Sequence, residues 1–168
     1  MSKKWLVALL VLVVVGAGAW YAFRPERLFI NQRVNEQFPT ASAANMEPMK
    51  LASGEFHAGA HDTKGTATIF KLADGKRTLR LTGFETSNGP DVHVYLVAAV
   101  DAKDNDTVKN AGFVDLGSLK GNIGDQNYDV PANVDLAKYR AATIWCARFN
   151  VNFGTAPLMS DSMQSMNR

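Results

Sequence analysis

Two hydrophobic rhythms divide this chain. From Trp5 to Phe23 no charged residue appears, and at about 1.5 Å per residue such a run spans roughly 28 Å as a helix, the depth of a bilayer's hydrocarbon core. After Gly54 the period becomes two. Runs of alternating or β-rich character cover residues 66–72, 77–84, 91–100, 112–119, 128–130 and 141–153, and only 133–140 reads briefly as helix. Turn chemistry separates the runs: Asp74-Gly75 between the first two is the strongest short-range hairpin signal, and Asn88-Gly89-Pro90, the polar stretch 101–110, residues 121–124 and 131–133 punctuate the rest. This pattern predicts an all-β domain, an antiparallel sandwich or small barrel of about seven to eight strands, behind one N-terminal transmembrane helix.

Between the two rhythms the chain changes twice. Residues 24–53 read as a juxtamembrane stalk and spacer, with Leu28, Val34 and Phe38 spaced to line one side of a short helix and Pro39 and Pro48 as breakers. The domain is expected over 54–158, and 159–168, which lacks apolar periodicity, is expected to fray. Ala17-Gly18-Ala19 resembles a signal-peptidase site, but the apolar run continues through Trp20, Tyr21 and Phe23 before Arg24 and Arg27, which favours a retained anchor over residues 1–23. Its partner is then the lipid bilayer, contacted from Trp5 to Phe23. Lys3 and Lys4 stay cytoplasmic on this reading, and the domain is extracellular or periplasmic on a single-pass membrane protein, or secreted if the segment is cut.

Charge and composition remove several classes. The 168 residues carry 18 Lys+Arg against 16 Asp+Glu, a net +2. Residues 51–158 hold 11 basic and 12 acidic groups, so the basic excess lies at the membrane end and gives no case for nucleic acid. The single cysteine excludes an internal disulfide, and a lone thiol in an exported domain is uncommon unless buried or used.

Cys146 is therefore the first candidate for chemistry. If residues 141–153 form one strand, Trp145, Ala147, Phe149, Val151 and Phe153 share a core face while Cys146, Arg148 and Asn150 look the other way. Arg148 would then lie one strand repeat from the thiol and favour its thiolate, the form that attacks, oxidises or coordinates. The competing reading is a small hydrophobe packed for volume. In the strand from Asp91, parity puts Val92, Val94 and Leu96 on the buried face and Asp91, His93 and Tyr95 on the other. His93 with Asp91 fits an oriented ligand or a solvated surface. His57 and His61 are four apart, yet Ala-Gly-Ala and Asp62 around them read as strand end and turn, so His57, His61 and His93 are weak metal candidates. Haem, with Cys146, His93 or a methionine as axial ligand, or another redox group, is permitted by the inventory and indicated by no spacing. Hydrolase, P-loop and dinucleotide fingerprints are absent.

Three blocks, SNGPDVHVYL at 87–96, FVDLGSLKGNIGDQNYDVP at 113–131 and TIWCARFNVNFGTAPL at 143–158, resemble in order the electron-transfer DM-thirteen domain family. The juxtamembrane RPERLFINQRVNEQFP is also similar to that of membrane-anchored bacterial members. The resemblance implies an all-β extracytoplasmic domain, sometimes accompanied by DOMON domains, whose characteristic cysteine is proposed to work as a bare thiol or through a bound prosthetic group. That cysteine corresponds to Cys146. The expected function is a membrane-tethered redox or electron-transfer domain with an unidentified redox partner; the alternative is a non-catalytic surface binding or scaffolding module with a structural cysteine.

Overall fold

The computed structural model describes residues 2–23, 30–39 and 47–160. Helix α1, Lys3–Phe23, is long and apolar enough to cross a bilayer, with its large apolar side chains from Trp5 to Tyr21 exposed. The remainder is β structure: β1 (Met49–Glu55), β2 (His57–Ala58), β3 (Lys64–Lys71), β4 (Arg77–Glu85), β5 (Val92–Val97), then α2 (Asn105–Ala111), β6 (Phe113–Ser118), β7 (Gln126–Val130), β8 (Ala141–Cys146), β9 (Val151–Pro157) and β10 (Met159–Ser160). They form two antiparallel five-stranded sheets, ordered β10-β1-β3-β4-β7 and β2-β9-β8-β5-β6. The all-β expectation holds, with ten strands, two of them only two residues long, among the described residues.

The sheets close on one apolar core. Ile69 of β3, Leu79, Leu81 and Phe84 of β4, Val94 and Leu96 of β5, and Ile144 of β8 are all sealed from solvent. Burying such side chains is the main favourable term in a fold of this kind, roughly 1.5–3 kcal/mol each. The β3–β4 hairpin turns where Asp74-Gly75 predicts it, with Gly75 at φ 84° supplying the left-handed position an L side chain resists. A second cluster lies outside the β5–β8 sheet: Tyr95, Val97, Ala141 and Trp145 pack under Ala102 and under Val108 of α2.

Four expectations are corrected. Residues 141–153 are not one strand: β8 ends at Cys146, an exposed turn follows, and β9 starts at Val151. The turn contains neither Gly nor Pro; Asn150 at φ 53° makes the reversal, a conformation Asn tolerates through its short polar side chain. Residues 133–140 form turns, and helix appears instead inside the polar stretch 101–110, where Asp104 caps α2 by accepting from the Thr107 amide at 2.7 Å. Strand pairing also outruns the boundaries set from sequence: β1 begins before Gly54, and Met159 and Ser160 pair with Ser53 and Ala52 rather than fraying. Of the expected tail, 161–168 lie outside the described residues, as does Leu28 of the stalk.

The fourth correction concerns the stalk. Val34 and Phe38 belong to no helix; residues 30–39 run extended along the sandwich. Val34 N–H donates to Ile123 O, Glu36 N–H to Asp125 O, and Gln32 N–H to Asn122 Oδ1 at 2.7 Å. The Glu36 carboxylate accepts from Lys120 Nζ at 2.8 Å and from the Asn127 amide at 2.7 Å, which satisfies an N–H on the otherwise open edge of β7. Phe38 stands edge-on to Phe70 with Arg80 over its ring. Gly121 and Gly124 make the approach possible, since a methyl at either would strike the Gln32 or Val34 carbonyl oxygen.

Candidate functional site

Cys146 closes β8, its backbone paired with Val92 of β5 on one side and Val151 of β9 on the other. The β8–β9 register shifts between Ile144 and Trp145, immediately before it, and bulges of this kind recur beside functional sites. The residue is 0% exposed and belongs to the inter-sheet core with Val92, Ile144, Phe153 and Ala156. Trp145 does point the opposite way from Cys146, as parity requires, but the main core takes the cysteine and the tryptophan enters the outer cluster. Arg148 stands in the exposed turn, so no strand repeat places it beside the thiol, and Phe149, expected in the core, is 63% exposed.

On the outer face of the same sheet, an aromatic row crosses three strands. Tyr95 stacks on Phe113 with centroids 4.2 Å apart and planes at 3°, and lies 6.4 Å from Trp145. His93, two residues from Tyr95 on β5, meets Asp91 through Nε2 at 3.2 Å and Asp115 through Nδ1 at 2.9 Å. Burial first, then the negative charge of Asp115 and Asp91, raises the Tyr95 hydroxyl above its ordinary value. Parity from sequence found the Asp91, His93, Tyr95 face; it missed Asp115, although that residue alternates with Val114 and Leu116 in the neighbouring run.

The structure does not bring the histidines together. His57 Nε2 pairs with Asp101 Oδ1 at 2.8 Å, the His61 ring rests on Phe153, and His93 lies across the sheet from Cys146. Among the described residues no group of three His, Cys, Asp or Glu could hold a metal ion. A haem liganded by Cys146 does not fit these residues. Cys146 is fully buried in a core of aliphatic and aromatic side chains. A cleft of about 100 Å³ beside its strand partner is lined by Val92, Ile30, Asn88, Pro90 and Leu119, but by neither Cys146 nor a histidine.

What this geometry defines is a two-sheet antiparallel sandwich with one thiol sealed inside and an aromatic row on the outer face of the same sheet, buried at Tyr95 and Trp145 and exposed at Phe113. The chain belongs to the family described as Electron transfer DM13, which it matches over residues 55–158. No curated protein and no solved structure matches it. The family's description carries an electron-transfer role, and the strand-built fold agrees with the all-β domain the resemblance implied.

Proposed function

We propose that the chain is a membrane-tethered, extracytoplasmic electron-transfer domain in which Cys146 is the redox group. The observation that supports this reading is the placement of the only thiol: at a strand end, one residue past a register shift and next to the exposed turn at 147–150. Strand ends and turns open at far lower cost than strand centres, so a thiol that is sealed on average is reachable by local fraying. No second cysteine exists in the chain to close a disulfide, so the exchange is with an exported thiol–disulfide partner. The Cys146 thiolate attacks one sulfur of the partner's disulfide; that S–S bond breaks, a mixed disulfide forms, and the other partner sulfur leaves as thiolate. A further partner thiolate attacks the mixed disulfide and returns Cys146 reduced.

The second reading, a binding module with a structural cysteine, is supported by the complete burial of Cys146. One experiment separates them. The full chain in detergent is mixed with an aromatic disulfide, and the rate of modification is followed as urea is raised from zero. Electron transfer through Cys146 requires reaction in native buffer at a rate nearly independent of low urea, reversal by added thiol, and no signal in Cys146→Ala. Reaction only in step with global unfolding assigns the thiol to structure. Sidedness is tested separately, by protease added to intact cells: the sandwich is digested if exported and protected if not.

A further inference from the structure

Residues 30–39, which follow the helix in the chain, are clasped to the sandwich. Residues 24–29 lie between Phe23 and Ile30, and at no more than about 3.6 Å per residue the chain from Phe23 to Ile30 keeps Ile30 within roughly 25 Å of the helix end, whatever its path. Ile30 lines the cleft formed by Asn88, Pro90, Val92 and Leu119, at the start of β5. From there residues 32–37 run past Ile123, Asp125 and Asn127 to Phe38, which packs on Phe70, one residue before β3 ends. The segment thus climbs the sandwich from one end to the other. The β3–β4 turn lies at the far end, separated by the nine residues of β4, about 30 Å.

Cys146 is at the near end. It pairs with Val92, and Ala147 N–H donates to Asp91 O at 2.8 Å, which places the 147–150 turn beside the Ile30 cleft. Large apolar side chains stand exposed at both ends, Ile30 and Phe149 at this one, each 63%, and Met49 beside the far turn at 55%, so the tether at Ile30 is what selects this end. Apolar groups unsupported by protein are stabilised at a bilayer interface.

We infer that the clasp at residues 30–39 fixes the sandwich with its Cys146 end, the 147–150 turn and Ile30, against the lipid surface, so that opening that turn exposes the thiol to the headgroup layer. The inference rests on reading α1 as a membrane span. It predicts a domain that does not swing on its tether.

The test uses the full chain in vesicles whose lipid headgroups carry nitroxide, with a fluorophore attached in a Cys146→Ala background at Arg148→Cys or at Lys76→Cys in the far turn. Quenching at position 148 is expected to be severalfold stronger than at 76. Gly121→Val, whose side chain strikes the Gln32 carbonyl and the Val34 side chain, should erase the difference. Should that variant fail to fold, the double variant Glu36→Ala, Phe38→Ala loosens the clasp from the segment's own side and is expected to act the same way. Equal quenching at the two positions in the clasped chain overturns the inference while leaving the anchor reading intact. A chain that floats free of the vesicles overturns both.

Discussion

The two sheets are built of opposite materials. The strands of the β10-β1-β3-β4-β7 sheet carry Lys50, Lys64, Lys71, Arg77, Arg80, Glu55, Glu85 and Asp129; those of the other sheet carry only Asp115 as a fixed charge, with His57 and His93. Burial follows the same division. In β4 and β7 buried residues alternate or nearly alternate with exposed ones, while every residue of β8 is buried and five of six are in β5. One sheet has a core on one side and water on the other; the second has a core on each side, because α2 and the chain before it roof its outer face. An antiparallel sheet does not need that second cover. Here the cover lies on the sheet that holds Cys146.

The sharpest way to break this comparison is to cut one aromatic from each outer face. Trp145→Ala removes the centre of the outer cluster and is expected to cost about 3–5 kcal/mol. Phe70→Ala, half-buried under Phe38 on the charged sheet, should cost about 1–2 kcal/mol. Urea unfolding of the two variants measures both. Equal losses would mean that the second sheet has no true outer core.

Next in size is the polar bond that holds the roof. Thr155 Oγ1 donates to Ala102 O at 2.9 Å and shares a contact with Thr143 Oγ1 at 3.0 Å, all of it buried. Thr155→Val keeps the volume, leaves Ala102 O with Asn152 Nδ2 alone, at 2.7 Å, and takes the Thr155 hydroxyl from Thr143 Oγ1, for an expected loss of about 1–3 kcal/mol. Thr68→Val, which removes one hydroxyl contact to Ser53 on the other sheet, should cost at most about 1 kcal/mol by the same reasoning. If Thr68→Val proves the more damaging, the roof is not what distinguishes the sheets.

This division also explains what the sequence made legible. Sheets wet on one side write their register into alternation, and the runs at 77–84 and 128–130 were readable for that reason. Sheets covered on both sides give continuous apolar runs with no phase, so 141–153 read as one strand and the wrong face was assigned to Cys146. The turn at 147–150 left one weak trace, Asn150, and the helix over 105–111 left another, Asp104 three residues ahead of Thr107. The clasp left only a helix-like spacing of Leu28, Val34 and Phe38 that misleads, because residues 30–39 are held by backbone groups and by Glu36, Lys120 and two glycines far off in the chain. Cys146 itself was legible as a type and a count, but its burial was not.

Asp104 gives the next and smaller effect. Its carboxylate accepts from the Thr107 amide at the start of α2, and those hydrogen bonds hold its carboxyl below the ordinary carboxylate value. Asp104→Ala removes that cap and should be read most directly as faster amide exchange over 105–111 with exchange in β4 unchanged. Exchange that rises equally in both places would show that the roof and the sandwich open as one unit.

The smallest effect is expected where charge rather than apolar area closes the charged sheet. Glu36 is penalised by burial, yet the bonds from Lys120 Nζ and the Asn127 amide outweigh that, and its carboxyl is held below the ordinary 4.5. A carboxylate with a depressed folded value contributes stability that is fully present above its unfolded value and is lost as pH falls through the folded one. The clasp should therefore be intact at neutral pH and loosen as the pH is taken down through 4.5 and below. Other acids protonate in the same range, so the discriminating quantity is a difference. Acidification should shift the Val34 and Asn127 amide resonances in the native chain and much less in Glu36→Gln, which is already uncharged, while the resonances of β8 move alike in both. The same shifts in the two proteins would mean that the clasp is held by its backbone bonds and glycines alone, leaving the ion pair as ornament on the edge of β7.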